Sequence, residues 1–271
     1  MNLSISNIAW NQKNNLSVLN ILHGQGVNYI EVAPKNLFNN PLVVSEKDVE
    51  LCLNFWSSNG ITLCSMQSLL FNEGHLKIFL SESVRAETLK YLKKIIKLAS
   101  RLKIYRVVFG NPINRSLCGT SPKSAMLIAK YFFNELADYA GIYGICICME
   151  ANASCYGTDF INTTEEAVEL IDFVDHQFFR LNFDTGAIIS NGGEVKYELR
   201  QYYDYIEHIH ISAPELSPIN KDLFSIEPFL GFLDKMKYSK YISIEMKMLS
   251  DVDDLSHIES SCNLIKKYLH Y

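Results

Sequence analysis

The sequence predicts an α/β protein folded as a single (β/α)8 barrel, and three observations carry that prediction. Eight short apolar or β-branched runs alternate with eight stretches of helical spacing along the 271 residues. Such alternation needs parallel crossovers, and eight units in a chain of about 250 residues or more are what a closed barrel requires. The two kinds of connection also differ throughout: helices run into strands through short glycine-bearing turns, whereas strands run into helices through longer polar segments. Finally, no composition break, Pro/Ser-rich linker or low-complexity tract divides the chain, so residues 1–271 are read as one domain. A doubly wound open sheet shares the alternation, but no GxGxxG or GxxxxGK[ST] follows a strand here.

Taken in order, a strand at Leu3–Ser6 leads to a helix over Leu16–Gly24, and Gly24-Gln25-Gly26 stops it with the left-handed cap that glycine favours. The strand Tyr29–Val32 precedes a helix over Glu46–Ser58, opened by Ser45-Glu46-Lys47-Asp48. Gly60 turns the chain into Thr62–Met66, the polar segment Gln67–Ser81 follows, and the next helix covers Val84–Leu102. Arg106–Phe109 is a strand, Asn111–Pro122 a loop, and Ser121-Pro122 the start signal for Ser124–Ala140. Gly141 and Gly144 then lead into the strand Ile145–Glu150. After the loop Ala151–Thr163, the run Thr163-Thr164-Glu165-Glu166 has the form of a capping box for a helix over Glu165–Val174. The remaining elements are the strand Phe179–Asp184, the helix Glu194–Tyr205, the strand Ile206–Ile211, the loop Ser212–Ser225, the helix Ile226–Met236, the strand Tyr241–Met246 and the helix Leu255–Leu269. Long polar loops after the strands all fall at one end of a barrel, where such folds keep their active sites.

Composition removes several classes of function. With 25 Lys+Arg against 30 Asp+Glu, a net charge of −5, 48% hydrophobic and 20% charged residues, the chain is neither disordered, collagen-like nor a coiled coil. A mildly acidic balance argues against nucleic acid and anionic lipid, both of which reward basic surfaces. Lys90, Lys94, Lys97 and Arg101 do share one helical face, but that is read as the solvated outside of a barrel helix. Met1–Trp10 lacks a basic segment followed by an apolar run, and no later stretch is apolar for a membrane-spanning length, so a cytoplasmic location is expected. The seven cysteines are scattered, Cys146 and Cys148 included, without CxxC pairs, and are read as reduced core residues. His23, His75, His176, His257 and His270 carry no functional assignment.

Chemistry is concentrated at the ends of the last four strands: Glu150, Asp184, His210 and Glu245. One charged strand terminus is commonly a helix cap or a salt-bridge partner. Four on consecutive barrel strands can converge on one rim, and three buried carboxylates there repel one another unless a cation joins them. Three carboxylates and an imidazole suit one divalent ion of the Mn2+, Mg2+, Co2+ or Fe2+ type, or a catalytic Zn2+, rather than a structural zinc held by thiolates. An ion with four protein ligands keeps positions for substrate oxygens, and Glu150 and Glu245 can then act as acid and base on the chelated carbons. Strand alternation sends His208 into the interior beside His210, and Asn182 beside Asp184. Glu31 ends the second strand facing the same rim, either to bind a substrate hydroxyl or to pair with a base. Gln67 ends the third strand, Asn152 follows Glu150 by two residues, and Arg115 lies in the loop after the fourth strand, where an anionic group could meet it. Glu31, Gln67, Arg115, Asn152 and His208 are therefore the expected substrate-binding set. Tyr156-Gly157-Thr158-Asp159-Phe160 reads as an aromatic lid over the site.

The phrases Met149-Glu150-Ala151-Asn152, Asn182-Phe183-Asp184-Thr185-Gly186, His208-Ile209-His210-Ile211 and Ser243-Ile244-Glu245-Met246, with Tyr156–Phe160, resemble the sugar phosphate isomerase/epimerase superfamily of xylose-isomerase-like TIM barrels. Asn28–Val32 and Val107–Pro112 resemble its second and fourth strands, so the likeness runs over nearly the whole chain. It implies a divalent metal on Glu150, Asp184, His210 and Glu245, with both glutamates moving protons. The chain departs from the epimerases of that group at two positions: Ala187 stands where a histidine is usual, and Leu216 where an arginine often is. Ala187 also counts against the endonuclease branch, which needs more histidines for a three-metal cluster. The expected activity is isomerisation or epimerisation of a small sugar, keto-sugar or sugar phosphate through a metal-stabilised enediolate. A metal-dependent phosphodiesterase and a non-catalytic sugar-binding protein are the rivals. The expected partner is a small carbohydrate, with neither nucleic acid nor membrane, and monomer and homo-oligomer are both open.

Overall fold

The computed structural model describes residues 1–249 and 254–269, so His270 lies outside the described residues. Eight parallel strands close on themselves in chain order: β1 (Asn2–Ser6), β2 (Tyr29–Val32), β3 (Thr62–Met66), β4 (Arg106–Phe109), β5 (Cys146–Glu150), β6 (Phe179–Asp184), β7 (Ile206–Ser212) and β8 (Tyr241–Glu245). This is the predicted (β/α)8 barrel, and each strand lies within about a residue of its expected bounds. The outer helices are α1 (Asn15–Gln25), α2 (Pro34–Leu37), α3 (Glu46–Ser58), α4 (Glu82–Arg101), α5 (Pro122–Gly141), α6 (Thr164–Val174), α7 (Thr185–Ser190), α8 (Val195–Tyr202), α9 (Ile226–Lys235) and α10 (Asp254–Lys266).

Local chemistry explains the boundaries. Gly26, at φ +60°, ends α1 in the left-handed conformation, and Gly144, at φ +66°, does the same work before β5. The Ser45, Ser81 and Ser121 hydroxyls accept from backbone N–H groups at the starts of α3, α4 and α5, and Thr163 with Glu166 forms the predicted capping box of α6. Two helices were not anticipated. Both α2 and α7 are too short for apolar periodicity to show, and α7 starts on Asp184 itself. The helix expected over Glu194–Tyr205 stops at Tyr202, where a tight 3-10 turn, Tyr203–Tyr205, leads into β7.

The main apolar core fills the layer between barrel and helices, where Phe133 packs against Phe109 edge-on at 5.1 Å and stacks on Phe179 at 4.9 Å. Inside the barrel the lining is polar toward the C-terminal end, with Ser4, Ser6, Glu31, Ser65, His208, His210 and Ser243 all inaccessible. Below Glu150 the small cluster of Val108, Cys146 and Cys148 is apolar. Cys118 and Cys155 correct the reading of all cysteines as core residues, for they lie exposed, while burial pushes the Cys64 and Cys262 thiols up to about 12. Among the described residues no helix is long and apolar enough to cross a membrane.

Candidate metal and active site

Register brings the chemistry together. A register shift between Leu181 and Asn182 pairs Asn182 with His208 and Asp184 with His210, while Glu150 faces Asn182 and Ser212 faces Glu245. Ligand atoms of Glu150, Asp184, His210 and Glu245 consequently lie within 4.8 Å of one another at the C-terminal mouth. His210 Nδ1 is the hub, at 3.1 Å from Glu150 Oε2, 3.2 Å from Glu245 Oε2 and 3.8 Å from Asp184 Oδ2.

Two carboxylates of the set, Glu150 and Asp184, are held from behind. Asn152 and Asn182 each donate to Glu150, to Oε1 at 2.8 Å and to Oε2 at 2.7 Å. Asp184 Oδ1 accepts from the Ala187 N–H at 2.6 Å, and its Oδ2 from the Ser212 hydroxyl at 2.7 Å. Gly110 leaves the room that Glu150 occupies, since a Cβ there would collide with the Glu150 carboxylate. Ser212 and Gly110 were missed from the sequence. Ser212 lies two residues beyond His210 on the same strand, so the period-2 rule marks its face, whereas nothing in the sequence marks Gly110 as close to Glu150.

Below this layer lies a buried cluster of one carboxylate and two imidazoles. Glu31 sits 2.9 Å from His208 Nε2 and 3.0 Å from His210 Nε2, with all three side chains inaccessible. Although burial opposes ionisation, the two imidazoles hold the Glu31 carboxyl well below its usual range. Of the two readings of Glu31, pairing with a base is therefore the one the fold adopts, and neither it nor His208 reaches the cavity. Gln67 does line the cavity, donates to Ser6 Oγ at 2.7 Å and accepts from Ser68 at 3.0 Å.

Arg115 requires a correction. The expected contact with an anionic substrate gives way to complete burial: its guanidinium donates to the Glu150 carbonyl at 2.5 Å, Asn152 Oδ1 at 2.8 Å and the Ile161 carbonyl at 3.2 Å. Burial lowers the group to about 10, so it is still charged at neutral pH. The lid is likewise narrower than expected. Phe160 packs edge-on against Phe79 at 4.7 Å, and Tyr156 alone of the segment Tyr156–Phe160 lines the cavity, where its hydroxyl accepts from the Glu215 N–H at 2.7 Å.

The donor set fits a divalent ion on its own chemistry. Buried Nδ1 of His210 faces three carboxylates yet makes no well-aligned hydrogen bond to any of them. Its Nε2 is engaged by Glu31, the carboxylate-backed arrangement that orients metal-binding imidazoles. Burial, then repulsion from Glu150 and Glu245, raises the Asp184 carboxyl from 3.8 to about 8. The His210 ring is raised well above 6.5: burial opposes this, and Glu31 and Glu245 outweigh it. Both groups bind protons more tightly folded than unfolded, so stability falls as pH rises from about 4 through about 8. A divalent ion held by these side chains would take the place of those protons. Melting temperatures of chelator-treated protein are thus expected to fall as pH is raised toward 8, and saturating Mn2+ to restore ~5–10 °C there. Melting that ignores both pH and Mn2+ would contradict the site.

A family model described as xylose isomerase-like TIM barrel matches residues 19–268. Inosose dehydratase of Bacillus cereus (strain AH820) is 34% identical over 79 residues, 28% of this chain and 25% of that protein, so the match spans a quarter of the relative. Among solved structures, D-psicose 3-epimerase of Clostridium cellulolyticum H10, with D-tagatose, superposes with a TM-score of 0.81 at 16% identity over 100% of both chains. The E. coli 3-keto-D-glucoside 4-epimerase gives 0.80 at 16% identity, over 98% of this chain and 99% of that one. At such identities the structural likeness is one of fold.

Proposed function

The chain belongs to the xylose isomerase-like TIM barrel family, and from that premise we propose that it is a divalent-metal-dependent isomerase or epimerase of a small sugar, keto-sugar or sugar phosphate. The observation carrying this reading is the convergence of Glu150, Asp184, His210 and Glu245 on one point at the mouth of the barrel. Those four side chains would hold the ion. When bound, it supplies Lewis acidity, polarising a carbonyl and an adjacent hydroxyl so that the neighbouring C–H is more acidic.

The protein's own groups do the rest. Glu150 and Glu245 reach the site from β5 and β8, with β6 and β7 between them. One takes the proton from the carbon beside the carbonyl; the C–H pair becomes a C=C bond as the carbonyl π pair moves onto oxygen. The other, carrying a proton at the outset, returns it to the opposite face of the same carbon in epimerisation, or to the former carbonyl carbon in isomerisation, where the hydroxyl proton passes to the former carbonyl oxygen and a new carbonyl forms beside it. Asn152 and Asn182 fix the Glu150 carboxylate, and Ser212 fixes that of Asp184. Tyr156 and Phe71 stand on the walls of a cavity of about 310 Å3, where aromatic surface suits the C–H face of a sugar.

A second reading comes from the local identity to inosose dehydratase. Elimination of water from a hydroxy-ketone begins with the same proton abstraction and ends with a hydroxyl leaving. The phosphodiesterase rival would need further ions, and the second acid and imidazole group, Glu31 with His208 and His210, is closed on itself by Glu31's contacts with both rings. One bound ion per chain is therefore expected. In deuterated water with Mn2+, the protein is expected to put deuterium on a carbon of a ketose without loss of water. Loss of water would select the dehydratase, and no exchange on any sugar bound would leave a binding protein.

A further inference from the structure

Barrels of this architecture that bind phosphate use loops after the seventh and eighth strands, with free N–H groups at a helix start or basic side chains to receive the charge. Here the described N–H groups nearest the cavity in those two loops, those of Glu215–Ser217 and Lys247–Leu249, are already engaged. After β7, Pro214 has no N–H, Glu215 donates to Tyr156 Oη, Leu216 to the Ala213 carbonyl at 2.9 Å and Ser217 to the Pro214 carbonyl at 3.3 Å. After β8, Lys247 donates to the Leu216 carbonyl at 2.8 Å, Met248 to the Ile8 carbonyl at 3.1 Å and Leu249 to Asp254 Oδ1 at 2.8 Å. In the first turn of α7, Gly186 donates to Ser212 Oγ at 2.9 Å and Ala187 to Asp184 Oδ1 at 2.6 Å.

Side chains offer no substitute. Among the described residues lining the cavity there is neither lysine nor arginine, while Glu150, Asp184 and Glu245 are all present. Arg115 is buried and spent on the Glu150 and Ile161 carbonyls, and Lys35 is held by Glu73 at 2.6 Å. Lys247 is exposed and stands outside the lining. The wall is instead made by Phe71, Pro112, Tyr156, Ala187 and Leu216. A dianion placed against it would lose water without gaining a partner, whereas a bare or deoxygenated carbon would lose little.

We infer that the substrate is an uncharged sugar, that its phosphate ester is refused, and that Leu216 sets this choice on the wall of the cavity. The inference rests on the isomerase or epimerase reading for where the reacting carbons lie, and narrows its substrate class. It is tested by calorimetric titration of the Mn2+-loaded protein with D-fructose, D-tagatose and D-sorbose, their 6-deoxy forms and their 6-phosphates, alongside deuterium exchange. At least one free sugar is expected to bind about tenfold or more tightly than its phosphate, with the 6-deoxy form no weaker than the parent. L216R, which puts a cation on the wall, is expected to close that gap. Phosphates bound as tightly as the free sugars by the wild type would overturn the inference and leave the proton-transfer reading intact. Preference for uncharged sugars without any exchange would do the reverse, and a protein binding none of the panel would overturn both.

Discussion

Glu245→Gln is expected to leave a folded, metal-loaded protein whose exchange of substrate hydrogen with solvent falls by about 10² to 10⁴, and Glu150→Gln to fall at least as far. Glutamine keeps the shape of the side chain and removes both the charge and the proton that the step needs. The two variants should nevertheless differ. Both oxygens of Glu150 accept from asparagine amides, at 2.8 and 2.7 Å, so an amide there would turn one N–H2 against another. Among the described residues no such donor pair surrounds Glu245, whose partner is His210 at 3.2 Å. Saturating Mn2+ and a count of bound ions separate lost proton transfer from lost metal. Near wild-type exchange by both variants, with one ion bound, would sink the mechanism.

Arg115→Met is expected to lower the melting temperature by ~10 °C, the largest effect on stability foreseen for this site. Methionine fills much of the volume but leaves the carbonyls of Glu150 and Ile161 and the Asn152 amide oxygen without their donor in a closed interior. A buried acceptor left unmatched costs about 1–3 kcal/mol. Asn152 would also lose the contact that turns its amide toward Glu150, so exchange should slow as well. Arg115→Lys should recover only part of the loss, because one ammonium cannot reproduce the two-pronged reach of the guanidinium. A melting temperature for Arg115→Met within about 2 °C of wild type would show that the brace is dispensable.

How much of this was legible in the chain differs from residue to residue. Glu150, Asp184, His210 and Glu245 could be grouped because each ends a strand, and parallel strands closing in chain order leave few other places for their ends. Asn182 and His208 were placed by alternation alone. Arg115 was misjudged for a physical reason: a lone arginine in a loop is ordinarily solvated, and only the fold brings the Glu150 and Ile161 carbonyls, 35 and 46 residues away, around it. Glu31 was open between two roles until β2 and β7 came to lie across the barrel from one another, 177 residues apart in the case of His208.

Fold class, element order and the groups carried at the strand ends can be read along the chain, because hydrophobic period, caps and glycine turns are local properties that neighbouring residues settle among themselves. Only long-range packing settles which acid lines the cavity and which is locked below it, that Arg115 is a buried brace, and that the N–H groups of Glu215–Ser217 and Lys247–Leu249 are engaged. Those outcomes depend on register, on a one-residue slip between β6 and β7, and on contacts between residues far apart in the chain. No local pattern encodes distances of that kind.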